Sequence, residues 1–526
     1  MRFMATQNPP IGVPASHVGA APRQKNVALI LVSSTVMIGM IMAIIDSTIV
    51  NVALDKMAGN LGASIDEVAW VATGYILSNV VVMPLNGWLT AVLGRRNFYA
   101  ASIAIFTVAS LLCGTATNVW VLVFYRVLQG IGGGALIPTA QAILFESYPP
   151  ERRGQSMAMF GLAAMVGPAL GPLLGGYLVQ NYGWPLIFYI NVPLGILGFF
   201  MTLAFIQDPA YITKPERGAD WFALGAMVVG IASLQYVLER GQHDDWFNSP
   251  IVIGLTVAGL TGLVLFIYRE LRDPHPFVNL RVFKSRAFSA GNVVGLVTGF
   301  GLFGLNLILP LFTQIVLGFD AWNTGLILLP GAIATAIGMP IAGNLVNRID
   351  PRISIAFGLV LSAISSWWMG SFSQEAGYWD IFWPRAMSGL ALGFIFVPMS
   401  TVMLAGIDRG DLANATGIST LVRQLGGSFG IAILTTLLVW KQKYVFADLT
   451  SSVTQSHYAV HEFIDKAGTQ MDAVRELAGM LQRDVNLIAF NFLFRLSGIV
   501  FLASLPFVWL LPNVKGGQGA PAAGLD

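Results

Sequence analysis

The chain places a carboxylate where a bilayer-crossing helix makes one costly. From Val27 to Ala43 the run VALILVSSTVMIGMIMA carries no charge, and it continues from Ile44 to Leu54 as IIDSTIVNVAL, with Asp46 in its midst. A charged Asp at mid-helix costs about 2.5–3.5 kcal/mol on insertion scales, so such a residue usually faces a partner or a cavity. Desolvation favours its neutral form and a nearby cation its charged form; a proton carrier needs two such environments with two proton affinities. A cation is within reach. Counted inward from the outer ends of their runs at 1.5 Å per residue, Asp46 and Arg126 both lie roughly 10–14 Å deep, so a pair between the first and fourth runs is geometrically feasible.

Three more arginines stand inside apolar runs, Arg385, Arg423 and Arg495. Against these four cations there is one clear intramembrane acid, Asp46, with Glu146 near the inner end of the fourth run. Two such arginines on one cavity would make its potential positive and favour anionic or zwitterionic amphipaths over bare cations. Arginines bound to helix C-termini or carbonyls would remove that bias. Arg385 and Arg423, with Asn51, Gln129 and Gln424, are candidates for the cavity wall or for contacts between domains. No enzyme signature emerges: GIGGGALIP is Gly-rich but lacks the Lys-Ser/Thr that grips nucleotide. His457, His461 and Glu462 read as solvated residues rather than a metal site, and the single cysteine, Cys113, excludes a disulfide framework. The expectation is no cofactor and no metal, with energy drawn from an ion gradient.

The elements that position these residues follow from composition. Charged residues make up 11% of the 526, against roughly a quarter in soluble proteins. Apolar runs of membrane-spanning length fall near 27–54, 68–90, 98–117, 119–145, 156–179, 186–206, 221–239 and 250–269. They resume near 287–317, 323–346, 353–371, 379–404, 413–440 and 487–511, giving fourteen spans. With the N-terminus cytoplasmic, short inside segments hold 18 Lys and Arg and short outside ones 2, so both termini are expected inside. The basic residues form short clusters between runs, which predicts membrane lipid rather than nucleic acid as their surroundings.

An internal repeat divides the chain. GWLTAVLGRR (Gly87 to Arg96) has a counterpart in GNLVNRIDPR (Gly343 to Arg352), and RVLQGIGGG (Arg126 to Gly134) in RAMSGLALG (Arg385 to Gly393), at offsets of 256 and 259 residues. Repeated halves are the mark of many transporters. The expected organisation is a tail (1–26), a six-helix bundle (27–206), a linker with two inserted helices (207–286), a second six-helix bundle (287–511) with a long polar outer loop (441–486), and a tail (512–526). Gly167, Gly171 and Gly175 recur every four residues on one helix face and permit close approach of another helix, and Pro168 and Pro172 can kink it.

These motifs resemble those of the major facilitator superfamily. GWLTAVLGRR, with Gly87, Gly94, Arg95 and Arg96, is similar to its loop 2–3 motif, RVLQGIGGGALIP to its fourth-span motif, and GPALGPLLGG to its exporter motif in span 5. Fourteen spans with DSTIVNVAL, NVPLG, ADWFALG and RQLGGSFG narrow the resemblance to EmrB/QacA-type drug/proton antiporters. Two departures stand out: Ala91 replaces the usual Asp of the loop 2–3 motif, and GWPLIF lacks the usual basic residue before span 6. The resemblance implies an all-α membrane protein with two pseudo-symmetric six-helix bundles, exporting amphipathic compounds from the inner membrane by alternating access. The residue reading makes Asp46 the expected proton-binding group with Arg126 tuning its acidity, and the resemblance adds a periplasmic membrane-fusion adaptor and an outer-membrane channel. An uptake symporter on the same scaffold is the alternative, which the exporter motif disfavours.

Overall fold

The computed structural model describes residues 26–212, 220–346, 348–452 and 470–512. The expected tails and the loop centre with His457, His461 and Glu462 lie outside the described residues. Fourteen described helices are long and apolar enough to cross a membrane. They are α1 (Asn26–Leu61), α2 (Ile65–Leu93), α3 (Arg95–Gly114), α4 (Val119–Ser147), α5 (Arg153–Asn181), α6 (Asn191–Phe205) and α7 (Trp221–Arg240). The rest are α8 (Pro250–Arg272), α9 (Arg286–Ile315), α10 (Ala321–Leu345), α11 (Pro351–Met369), α12 (Tyr378–Ala405), α13 (Leu412–Ser452) and α14 (Gln470–Ala503).

The two halves repeat each other's packing. In the first half α1 packs on α4, α5 and α6, α2 on α4, and α3 on α4 and α6. In the second, α9 packs on α12, α13 and α14, α10 on α12, and α11 on α12 and α14. Each partner is displaced by eight helices, the signature of a duplicated six-helix bundle with a pair inserted between copies. Without a hydrophobic drive between helices in lipid, close backbone approach does this work. In the inserted pair a Cβ on Gly262 would stand 2.7 Å from the Ala226 carbonyl oxygen, and one on Gly230 2.8 Å from the Leu263 nitrogen.

The inserted pair is tied down by polar contacts. Asp220, in ADWFALG, caps α7 by accepting from the backbone N–H of Phe222 and Ala223, and pairs with Arg269 of α8 at 2.5 Å. The hydrogen bond from Arg269 holds this carboxyl below the usual carboxylate range. Gln235 of α7 donates to the Ser428 hydroxyl of α13 at 2.7 Å.

The segment 441–486, whose stretch MDAVRELAGMLQRDV reads as helical, is helix at both ends: α13 continues to Ser452 and α14 begins at Gln470. At 1.5 Å per residue, the 41 residues of α13 span about 60 Å, twice a hydrocarbon core. Polar residues such as Lys441, Gln442 and Lys443 do not end the helix, because straight-chain polar residues are good helix formers.

Candidate functional site

Asp46 and Arg126 are in contact. Arg126 Nη1 stands 2.5 Å from Asp46 Oδ2, with Arg126 only 1% exposed and Asp46 fully buried. The other carboxylate oxygen, Oδ1, accepts from Gln129 Nε2 at 2.8 Å and from Asn191 Nδ2 at 2.9 Å. Gln129 lies three residues along α4 from Arg126, so both reach the same face, and its Oε1 accepts from Arg126 Nη1 at 2.8 Å. Arg126 Nε donates to the Val71 carbonyl of α2 at 3.1 Å, and its guanidinium lies 4.2 Å above the Tyr75 ring. Asn191 also donates to Ser110 Oγ of α3, which donates onward to the Phe188 carbonyl. Five helices of the first half thus join one network, in which α4 and α6 bond the carboxylate of α1 while α2 and α3 hold those partners, within that bundle rather than between the halves.

This cage is apolar on its outside. Ile45, Ile49, Val71, Cys113, Leu122 and Phe188 are all buried around it. Neutralising Asp46 would take away the ion-pair partner of Arg126, while the Val71 carbonyl, Gln129 Oε1 and the Tyr75 ring would still face the guanidinium.

The glycine stripe of α5 packs directly on the helix that carries Asp46. A Cβ on Gly167 would overlap Ile44 Cγ2, one on Gly171 would overlap Thr48 Oγ1, and one on Gly175 would fall 2.9 Å from Ile49 Cγ1. The three contacts bracket Asp46 on α1. The helix runs unbroken from Arg153 to Asn181 through Pro168 and Pro172.

The loop 2–3 motif forms a second polar cluster. Gly94 has φ +81°, a left-handed conformation that glycine adopts without strain. It ends α2 and caps α3, where the N–H of Arg96 donates to Asp208 Oδ1 at 2.9 Å. Arg95 pairs with Glu146 of α4 at 2.6 Å and donates to the Tyr211 hydroxyl at 2.9 Å, and that hydroxyl donates to Glu146. Burial pushes the Tyr211 phenol up to about 12, so it stays protonated and donates at neutral pH. Ala91, where the family motif usually carries Asp, lines a cleft with Gly87, Arg95, Tyr211 and Arg409. Acids from other segments, Asp208 and Glu146, supply the negative charge at this corner.

The halves meet at this same end. Asn86 Nδ2 donates to the Ala413 carbonyl at 2.8 Å, and Asn86 Oδ1 accepts from Thr139 at 2.6 Å. A Cβ on Gly87 would stand 2.7 Å from Asn414 Cβ, and one on Gly343 2.7 Å from the Gly154 carbonyl oxygen. Residues 87 and 343 are repeat counterparts, as are 154 and 414 at an offset of 260, so one contact is made twice from opposite halves. Phe160 of α5 stacks on Phe396 of α12 at 5.8 Å, and Gln155 bonds Asn344 at 3.2 Å.

The remaining candidates have separate settings. Arg385 donates to Asn306 Oδ1 at 2.7 Å and lines a cavity. Arg423 is half-buried with its guanidinium 5.2 Å from the Phe396 ring, and its neighbour Gln424 is half-buried. Asn51 is exposed on α1, five residues beyond Asp46. Arg495 donates to the Gly370 carbonyl at the C-terminal end of α11, the helix-terminus role open to these arginines. Sequence reasoning missed Asn191, Ser110 and Tyr75. The signal for Asn191 was present in NVPLG, an amide opening an apolar run.

Residues 36–431 match the family model of the Major Facilitator Superfamily. The chain belongs to that superfamily. It is 34% identical over 501 residues to the multidrug export protein EmrB of Escherichia coli K12, covering 94% of this chain and 98% of that one. It is 32% identical to the fatty acid resistance protein FarB of Neisseria gonorrhoeae, covering 95% and 99% respectively. Within the superfamily it is therefore an EmrB-type, multi-pass membrane transporter and not an enzyme. The fold is shared with solved superfamily structures at 14% identity. They include the human organic anion transporter MFSD10, TM-score 0.60, covering 92% of this chain and 100% of that one. The proton:xylose symporter XylE also matches, TM-score 0.58, covering 92% and 96%.

Proposed function

We propose that this protein is a proton-coupled exporter of amphipathic compounds, working by alternating access in the inner membrane with both termini cytoplasmic. The single observation that carries the reading is the caged carboxylate. Asp46 is fully buried on the helix against which the α5 glycine stripe packs, so the carboxylate's partners and α5 hold the same turn of α1 from different sides.

The chemistry runs as follows. A proton arriving from outside binds a carboxylate oxygen of Asp46 and removes the charge that holds Arg126. The guanidinium is not stranded, because the Val71 carbonyl, Gln129 Oε1 and the Tyr75 ring continue to solvate it. Neutralisation loosens α1 from α4 and α6, and α5 shifts with α1 through the glycine contacts. The halves then part at the Gly154–Gly343 and Gly87–Asn414 contacts, the proton leaves toward the cytoplasm and substrate enters. Deprotonated Asp46 recaptures Arg126, Gln129 and Asn191, and closure at the basic-loop end carries substrate outward. One elementary charge moving down 100 mV releases about 2.3 kcal/mol, with the proton concentration difference added.

EmrB, named a multidrug export protein, and the GPALGPLLGG motif support export over uptake. The helical extensions of α13 and α14 beyond a bilayer's thickness are the surface we assign to a periplasmic membrane-fusion adaptor, which would lead to an outer-membrane channel. No cofactor enters this scheme. Growth under a panel of toxic amphipaths, with and without the gene, tests it. The reading predicts resistance that collapses when the proton gradient is dissipated, whereas heightened sensitivity would point to uptake instead.

A further inference from the structure

The repeat that relates the two halves leads to a site in the second one. Arg126 corresponds to Arg385 at an offset of 259, and Asp46 to Asn306 at an offset of 260. The geometry is repeated too. In each half an arginine on the fourth helix reaches the first: Arg126 to Asp46 at 2.5 Å, Arg385 Nη2 to Asn306 Oδ1 at 2.7 Å. The second half keeps the cation and replaces the acid with a neutral amide.

Arg385 is therefore left with uncompensated charge. Among the described residues no ion pair involves it, and its Nε has no hydrogen-bond partner. A Cβ on Gly331 would stand 2.7 Å from that Nε, so the guanidinium packs against α10 in space that a glycine leaves. Unlike Arg126, it opens on a cavity with Met165 of the first half and Phe501 of α14 among its walls. Leu302, Leu305 and Leu392 make much of the lining apolar. A guanidinium beside an apolar cavity binds a planar oxyanion well, since two parallel charge-assisted hydrogen bonds form where water is scarce.

We propose that Arg385, freed of an in-chain acid by Asn306, binds the carboxylate of amphipathic anionic substrates, whose apolar tails lie along the cavity wall formed by Met165, Leu302, Leu305 and Phe501. This rests on the exporter reading and adds the substrate class and the group that selects it. Two probes of opposite charge separate the charge rule from general drug binding: decanoate and tetraphenylphosphonium.

The experiment measures binding of each radiolabelled probe to the full-length protein in lipid nanodiscs. Asn306→Asp restores the acid that the first half possesses. It is expected to weaken decanoate by at least about tenfold, the loss of one charge-assisted hydrogen bond, and to strengthen tetraphenylphosphonium. Arg385→Gln should weaken decanoate similarly, and Arg385→Lys less than Arg385→Gln, because it keeps charge but loses the two-pronged contact. Cation binding reports that each variant is folded; should Asn306→Asp not fold, the Gln and Lys pair decides the matter. Decanoate binding within twofold of wild type in the variants overturns the inference, as does equal weakening of both probes. Wild-type protein that binds tetraphenylphosphonium but not decanoate also overturns it while leaving the exporter reading standing; binding of neither overturns both.

Discussion

Thr48 donates its hydroxyl to the Gly167 carbonyl at 3.0 Å, joining the exporter motif of α5 to α1 two residues beyond Asp46. The same hydroxyl occupies the space a side chain on Gly171 would need. Carboxylate and glycine stripe therefore engage the same stretch of α1 from different faces.

Substitution at that seam should show it. Gly171→Ala introduces a methyl that overlaps Thr48 Oγ1, overpacking of a kind that costs about 1–3 kcal/mol. We expect a lower melting temperature and strongly reduced export. Thr48→Ala in the same chain removes the colliding oxygen and should restore part of both. Thermal denaturation and drug-resistance assays on the two single variants and the double measure this directly, and strict additivity would show that the contact does not couple them.

The doubled glycine contact between halves makes a second prediction. Gly154→Val puts branched atoms into a space where a Cβ alone would stand 2.5 Å from the Gly343 carbonyl oxygen, so the basic-loop end cannot close. Distances between spin labels on α5 and α10 at that end should lengthen, with export lost. Unchanged distances would mean the contact yields without consequence.

At the loop 2–3 corner, Glu146→Gln leaves the buried Arg95 without its ion-pair partner, at a cost of about 3–5 kcal/mol. Tyr211→Phe removes only a bridging hydroxyl, worth about 0.5–1.5 kcal/mol. Denaturation of the purified protein should rank the two in that order.

On the opposite face, His243 contacts Asp66 at 2.9 Å and Asp244 at 3.0 Å, tying the connection between α7 and α8 to the start of α2. The hydrogen bond to Asp244 holds the imidazole above its ordinary value, helped by Asp66 and opposed by partial burial and Arg240. A raised value in the folded state means this contact is fully present below the ordinary histidine value of about 6.5 and fades as pH rises through the folded one. Hydrogen exchange over residues 241–249, corrected for intrinsic rate, should quicken between about pH 6 and pH 9; the same protection at both would contradict the assignment.

Much of this was legible in the chain. Span count, repeat and the Asp46–Arg126 approach follow from run length, motif offset and depth, because a bilayer forces helices and fixes their rise. Partners from distant segments were not. Asp208 and Glu146 compensate for Ala91 across 112 and 51 residues of sequence from Arg96 and Arg95, and no local pattern points to them. Asn306 was overlooked because an amide in an apolar run carries no charge, although adding the repeat offset to Asp46 lands within one residue of it. Helical character within 441–486 was legible, whereas the end of α13 at Ser452 was not, because lysine and glutamine propagate helix readily past the apolar run.

The central claim is that Asp46 exchanges a proton for substrate. The most direct measurement is substrate-driven proton release in proteoliposomes loaded with a pH indicator, wild type against Asp46→Asn. The account predicts release in the wild type and none in the variant, with the variant still folded and still binding substrate. Equal proton release by both would remove Asp46 from the coupling and leave only its structural role.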